Sequence, residues 1–240
     1  MALFLYMQKY IAIDFETYYD TKYSIKHYGN RAFCEHPEFD AYLVAIYGDD
    51  YEFVGHPIDV DWNILNDKIA IAHNAGFDKA ILDKLRASEK YPIPEIDFVC
   101  TADLSVYLGA GRKLDEAVKN LLGLTISKEV RKNMNGKTID DLKDWDETKL
   151  ATNKAERKKK SDYEALLKYA LDDAKYCYEI WTKYSDQWPQ VERALAKHTR
   201  GMAEYGVQID TEKLDKYLKR ANEIKEFCES QIPWGKPHLT

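Results

Sequence analysis

The stretch "KYIAIDFETYYD" (residues 9–20) carries an apolar run that stops abruptly at two carboxylates, Asp14 and Glu16, with one aromatic between them. Its β-branched, apolar character reads as a buried strand that turns polar at its end. Successive strand side chains alternate between faces, so the two acids point to the same side. Two carboxylates so placed repel unless a cation sits between them, and hard divalent cations take oxygen ligands of this kind. The pair alone is a weak signal, because Asp50-Tyr51-Glu52 and Asp210-Thr211-Glu212 repeat it. The second lies at a hairpin and the third at a helix start, where Asp210 suits an N-cap. Only the first sits at the C-terminal end of an apolar strand.

Working outward, "FDAYLVAIYGDDYEFVGH" reads as strands over residues 39–47 and 51–55, joined through Gly48-Asp49-Asp50. A short helix is expected over residues 61–66, then a strand over 68–73. Phe77, Ile81, Leu82 and Leu85 recur at helical spacing. After Pro92 and Pro94 the chain resumes as a short apolar strand, and "KLDEAVKNLLGL" reads as an amphipathic helix closed by Gly123. Residues 127–160 are polar, and their basic runs "VRKNMNGK" and "NKAERKKK" read as a solvated face or loop. A long helix is expected over residues 161–188. Three strands, a helix, another strand and further helices make a mixed α/β layer fold, whose ligand site belongs at strand ends.

The chain has 240 residues, enough for one generous domain or a domain with an extension. Its 45% hydrophobic content supports a real core, and its net charge of −6 argues against broad, sequence-independent coating of nucleic acid. An acidic metal site or a local basic groove remains compatible with that charge. Cys34, Cys100, Cys177 and Cys228 form no C-x-x-C pair and read as reduced thiols of a cytoplasmic protein. The start "MALFLYMQKY" lacks a basic lead and is too short for a signal or a membrane span, and Met7 is an alternative start to Met1. No membrane partner is expected.

Two more segments carry acids beside apolar elements. In "HNAGFD", after the strand at 68–73, Asn74 can cap the following helix and Asp78 falls in its first turns, where the dipole favours negative charge. In "YALDDAKY", Tyr169 and Asp173 are four apart on one helical face. There the phenol can orient a water while the carboxylate holds a metal, or the tyrosine can edge the core with Asp172 and Asp173 solvated.

Taken together, Asp14-x-Glu16, Asn74-x-x-Phe77-Asp78 and Tyr169-x-x-x-Asp173 resemble, in order and spacing, the three motifs of the DEDD 3′→5′ exonucleases of the DnaQ-like, ribonuclease H-like superfamily. The tyrosine points to the DEDDy branch. The opening "DFETYYDTKYSIKHYGNRAFCEHPEFDAYLVAIYGDD", with "IAHNAGFDKAIL", "CTADLSVYLGAGRKLDEAVKNLLGL" and "NMNGK", is further similar to the proofreading domain of phage-type family A (DNA polymerase I-like) polymerases. "HTRGMAEYGVQIDTEKLDKYLKRANEIKEF" resembles the helical start of their polymerase part, while no palm or fingers motif follows.

This resemblance implies a mixed five-stranded sheet flanked by helices, with an exonuclease domain at 1–188 and a helical extension at 189–240. It implies hydrolysis of single-stranded DNA from the 3′ end with two divalent cations, Mg2+ or Mn2+, held by Asp14, Glu16, Asp78 and Asp173. Tyr169 would orient the attacking water, since a free tyrosine pKa of about 10 suits orientation better than general base. Thr17, Asn74 and Phe77 would meet the terminal nucleotide, with core packing the other reading of Phe77. Arg131, Lys132, Lys137 and the run 157–160 would follow the phosphates. The chain is not expected to polymerise by itself, and a separate polymerase subunit is a candidate partner for the apolar positions Leu214, Tyr217, Leu218 and Ile224. RNA trimming, as in ribonuclease D-like relatives, and a non-catalytic docking module are the competing readings.

Overall fold

The computed structural model describes residues 9–127, 129–142 and 154–232; the apolar start at residues 1–8 lies outside them. β1 (Lys9–Thr17) is the central strand of a five-stranded sheet. After β1 come α1 (Ile25–Glu35), absent from the sequence reading, and the hairpin of β2 (Ala41–Gly48) and β3 (Tyr51–Gly55). β4 (Lys68–Ala72), α2 (Ala75–Ala87) and β5 (Asp97–Cys100) complete the layer, and the strand order is β3-β2-β1-β4-β5. β2 pairs antiparallel with both β1 and β3, whereas β4 pairs parallel with β1 and β5. The tight turn at Asp49-Asp50 suffices for the antiparallel hairpin, while the parallel pair β4–β5 needs the crossover that α2 provides. The sheet is therefore mixed and flanked by helices, as expected.

Alternation along β1 divides the interior into two cores. Ile11, Ile13 and Phe15 face the first, with Ile81, Leu82 and Leu85 of α2. Ala12 faces the second, with Tyr10 packed against its edge. Asp14 and Glu16 continue that second row, so both acids leave the strand on the second face.

The second core is closed by α6 (Lys154–Tyr184), which follows α3 (Thr101–Tyr107), α4 (Leu114–Ala117) and α5 (Glu129–Asn133). α4 widens into a further turn over Val118–Leu122 and ends at Gly123 in the left-handed conformation. On α6, Leu166, Ala170, Ala174, Cys177, Ile180 and Trp181 are fully or nearly fully buried, at the 3–4 residue spacing of one helical stripe. The small residues Ala170, Ala174 and Cys177 let the helix approach β1 and β2 closely. Ala174→Leu is expected to overpack this seam and lower stability by about 1–3 kcal/mol, read as a lower urea midpoint with an unchanged slope.

Three sequence expectations are refined by the fold. The 127–160 stretch is not simply solvated, because α5 lies within it and Met134, Ile139 and Leu142 are buried in the second core. The run 157–160 is largely exposed, as the solvated-face reading has it, but it is helix and not loop, in the first turns of α6, because the packed part of that helix propagates backward into residues that are good helix formers. The short helix expected at 61–66 is a 3-10 turn, Trp62–Leu65, opened by the Asp61 carboxylate, which accepts from Asn63 N–H.

The chain forms one compact unit through Arg200 and a second from Gly201, a division inside α7 (Gln190–Tyr205). Residues just past 188 stay with the first unit: Arg193 donates to the carbonyls of Trp188 and Ser185, and Ala196 packs on the second core. In the second unit, α8 (Thr211–Gln231) is capped as its sequence suggests, with the Asp210 carboxylate accepting from Lys213 N–H at 2.9 Å. Cys34, Cys100 and Cys177 are buried free thiols and Cys228 is an exposed one. Among the described residues, no helix is long and apolar enough to cross a membrane.

Candidate metal centre

β1 is longer than its parallel neighbour. Its pairing with β4 runs from Lys9 to Ala12, while pairing with β2 continues to Thr17 through an irregularity between Glu16 and Thr17. Beyond Ala12 the β4-facing edge of β1 has open backbone groups, which need partners when buried. Asp78 supplies one: its carboxylate accepts from Phe15 N–H at 3.2 Å. The first turn of α2 is thereby fixed against the strand end, between the two acids in sequence.

From the other side α6 presents Asp173 on the stripe that buries Ala170 and Ala174. Asp14, Glu16 and Asp173 each offer a carboxylate oxygen, and these atoms all lie within 4.8 Å of one another. Glu16 is 8% and Asp173 7% exposed, so bulk water screens their repulsion poorly. Burial first, then Glu16, Asp173 and Asp78, pushes the Asp14 carboxyl well above the usual carboxylate range, while the Arg131 charge pulls it down. Glu16 is pushed up to about 7, mainly by burial, with Arg131 opposing and Asp173 adding. Asp78, 3% exposed, is pushed up to about 8 by burial against the lowering effect of backbone N–H groups.

Buried carboxylates left with this much mutual repulsion are the donor set a hard divalent cation requires. All of the ligands are oxygen, Glu16 and Asp173 both raise the Asp14 pKa, and the spacing suits one ion shared by three groups. The residues present therefore fit Mg2+ or Mn2+. Asp78 lies outside the close trio, anchored to Phe15.

Tyr169 and Asp173 do share a helical face, four residues apart on α6. Burial, then the charges of Asp173, Glu16 and Asp14, raises the phenol far above its ordinary value. Tyr169 is thus a neutral donor at physiological pH.

The remaining sequence candidates are dispersed around this trio. Thr17 is buried beside Glu16 at the irregularity of β1. Asn74 does not cap α2 with its side chain: its backbone is left-handed, at φ 69°, and its carbonyl accepts from Phe77 N–H. Phe77 is packed against the first core, its ring centroid 5.8 Å from that of Phe33. Arg131 and Lys132 are exposed residues of α5, and Lys137 is exposed just after it.

Two tyrosines at the site escaped the sequence reading. Tyr42 of β2 lies opposite the irregularity of β1, between the partners of Glu16 and Thr17, and its hydroxyl is buried with no hydrogen-bond partner among the described residues. The Tyr19 hydroxyl donates to the Arg131 carbonyl of α5, and the Tyr19 carbonyl accepts from Gly136 N–H at 2.8 Å. Neither carries a local pattern: each is one aromatic among the 18 tyrosines of the chain.

No family model and no curated protein matches the chain. Among solved structures, it is similar to Brucella melitensis NrnC with bound Mg2+, at 18% identity over 83% of this chain and 86% of that one, TM-score 0.48. It is similar also to Escherichia coli RNase D, an exoribonuclease involved in structured RNA processing, at 16% identity over 84% of this chain and 46% of that one, TM-score 0.46. The catalytic core of RRP6 from Trypanosoma brucei is a third, at 13% identity, covering 80% and 43%, TM-score 0.43.

Proposed function

We propose that the chain is a metal-dependent 3′→5′ exonuclease acting on single-stranded nucleic acid. The observation that carries this reading is the convergence of Asp14, Glu16 and Asp173 within 4.8 Å. Two divalent cations bound at such a centre supply an activated water and stabilise the departing 3′ oxygen of an in-line displacement. Asp14, Glu16 and Asp173 hold the ions directly, and Asp78, bound to Phe15 N–H, supports the strand end and acts from further out. Tyr169 would orient the attacking water through its neutral hydroxyl, a role its raised pKa suits better than general-base work.

Thr17, Asn74 and Phe77 lie on the strand ends and α2 start nearest the acids, and would meet the terminal nucleotide. Arg131, Lys132 and Lys137 would take phosphates. DNA as substrate, proofreading as role and a polymerase subunit as partner rest on the phage-polymerase resemblance of the flanking segments. The exposed Tyr217, Leu218 and Ile224 of α8 are the surface such a subunit would cover.

DNA and RNA strands of one sequence, 5′-labelled and unpaired at the 3′ end, test the reading when incubated with Mg2+, Mn2+ or a chelator. Stepwise shortening from the 3′ end that the chelator stops is the expected result, with DNA the faster substrate. Faster RNA shortening would transfer the proposal to RNA trimming, and binding without turnover would leave only a docking module. Tyr169→Phe is expected to slow shortening about 10- to 100-fold while Mn2+ affinity, read by calorimetry, stays within about twofold of wild type.

A further inference from the structure

A bulge in β2 turns one tyrosine onto the face that carries the acids. Along β2, Leu43 and Ala45 pack in the second core while Val44 and Ile46 pack in the first, the alternation of a regular strand. Tyr42 breaks that alternation. It joins its neighbour Leu43 in the second core, and Ala41 before it returns to the first. The register gives the reason: Glu16 pairs with Leu43 and Thr17 with Ala41, so Tyr42 is an extra residue of β2 with no partner of its own on β1. Tyr42 and Leu43 therefore both stand across from Glu16, within the reach of a long side chain to its cross-strand neighbour. Tyr42 is 2% exposed, and its hydroxyl has no hydrogen-bond partner among the described residues. The hydroxyls of Tyr23 and Tyr184, by contrast, donate to the carbonyls of Phe33 and Leu121. A buried hydroxyl left unpaired destabilises the fold, and phenylalanine would fill the same space without it.

We propose that Tyr42 is a positioning residue for Glu16, its hydroxyl donating to the carboxylate oxygen that a bound divalent cation leaves unused. This inference rests on the metal-centre reading above. A carboxylate that gives one oxygen to a cation keeps lone pairs on the other, and at a buried site bulk water does not reach them. A donor there fixes the rotation of the ligand and so prepares the site for the ion. A phenol does this without a positive charge, which would repel the cation. Burial, and after it the Glu16 charge, raise the Tyr42 phenol well above its ordinary value, so it remains a neutral donor. The bulge is what makes the arrangement possible, because in regular pairing Tyr42 would face the first core, away from Glu16.

Mn2+ titration calorimetry, with thermal melts in chelator, tests this on the wild type, Tyr42→Phe and Tyr184→Phe. Tyr42→Phe is expected to bind Mn2+ about 10-fold more weakly. Metal-free, it is expected to melt about 2 °C or more higher than wild type, because the unpaired hydroxyl is gone. Tyr184→Phe loses a hydroxyl that is already bonded, so it is expected to melt lower and to keep its Mn2+ affinity within about twofold. If wild type binds Mn2+ and Tyr42→Phe binds it as well, or Tyr184→Phe weakens binding as much, the role of Tyr42 is overturned while the metal centre stands. A metal-free midpoint that falls in Tyr42→Phe would mean that the hydroxyl is already bonded within the fold, and overturns that role likewise. A wild type that takes up no Mn2+ overturns both the metal centre and this proposal.

Discussion

Asp14→Ala is expected to lower metal-dependent shortening of a single strand about 1,000-fold or more and, in the absence of metal, to raise the thermal midpoint by about 3 °C or more. The two effects have one cause. Asp14 shares the trio with Glu16 and Asp173, each raising its pKa, in a setting where burial already penalises its charge. Removing it takes one ligand from the trio and, with it, a carboxylate whose charge burial and three neighbouring acids disfavour. A residue kept at a cost to stability is the expected signature of a site built for function. Asp173→Ala is expected to act in the same direction, since its charge raises both Asp14 and Glu16. The check pairs a time course on a labelled strand with calorimetric melting in chelator. A double variant, Asp14→Ala with Asp173→Ala, that shortened strands at the wild-type rate would sink the assignment of the centre.

Without divalent metal, the protein is expected to lose stability as pH rises from about 5 to about 8.5, on the order of 2–4 kcal/mol. The sign follows from the direction of the shifts. Glu16 is raised from an ordinary value of 4.5 to about 7, Asp78 from 3.8 to about 8, and Asp14 well above 3.8. Between the ordinary and the raised values the folded chain holds protons that the unfolded chain has released. The stability this represents is complete below the ordinary values and is lost as pH climbs through 7 and then 8. Saturating Mg2+ or Mn2+ is expected to replace those protons and restore the midpoint most strongly at pH 8, where the sites are deprotonated and metal need not displace protons. Urea melts at pH 5.5 and 8.5, each with chelator and with metal, decide the matter. A metal-free stability that rose across this window would mean the acids are already neutralised within the fold.

Much of the centre was legible because it follows short periods. A period of two puts Asp14 and Glu16 on the face opposite Ile13 and Phe15, and a period of 3.6 puts Tyr169 and Asp173 on one side of α6. The cap at Asp210 was equally local, one side chain closing one turn. What stayed hidden has no local period. Met134, Ile139 and Leu142 are spaced irregularly among lysines, asparagines and aspartates, so a stretch that contributes to the second core reads as solvent-facing chain. Asn74 looks like a cap from its neighbours, yet its left-handed backbone, set by the tight passage from β4 into α2, leaves no side-chain cap bond. The orphaned hydroxyl of Tyr42 and the two-point hold of Tyr19 join residues far apart in sequence, and nothing beside either tyrosine foretells them.

By itself, then, the sequence determined which side chains share a face: two acids at the end of an apolar strand, and a tyrosine with an acid on one stripe of a long helix. Backbone geometry enforces that within a few residues. Only the tertiary structure decided that these faces meet. Small residues at 170, 174 and 177 let α6 come down on the sheet beside β1, and β4 stops short so that Asp78 can reach Phe15. α5 is tied to the exit of β1, where the Tyr19 hydroxyl donates to the Arg131 carbonyl. Repulsion among like charges opposes this assembly. It persists because the apolar burial on both sides of the sheet exceeds that cost, and the acids it brings together are what a divalent cation would bind.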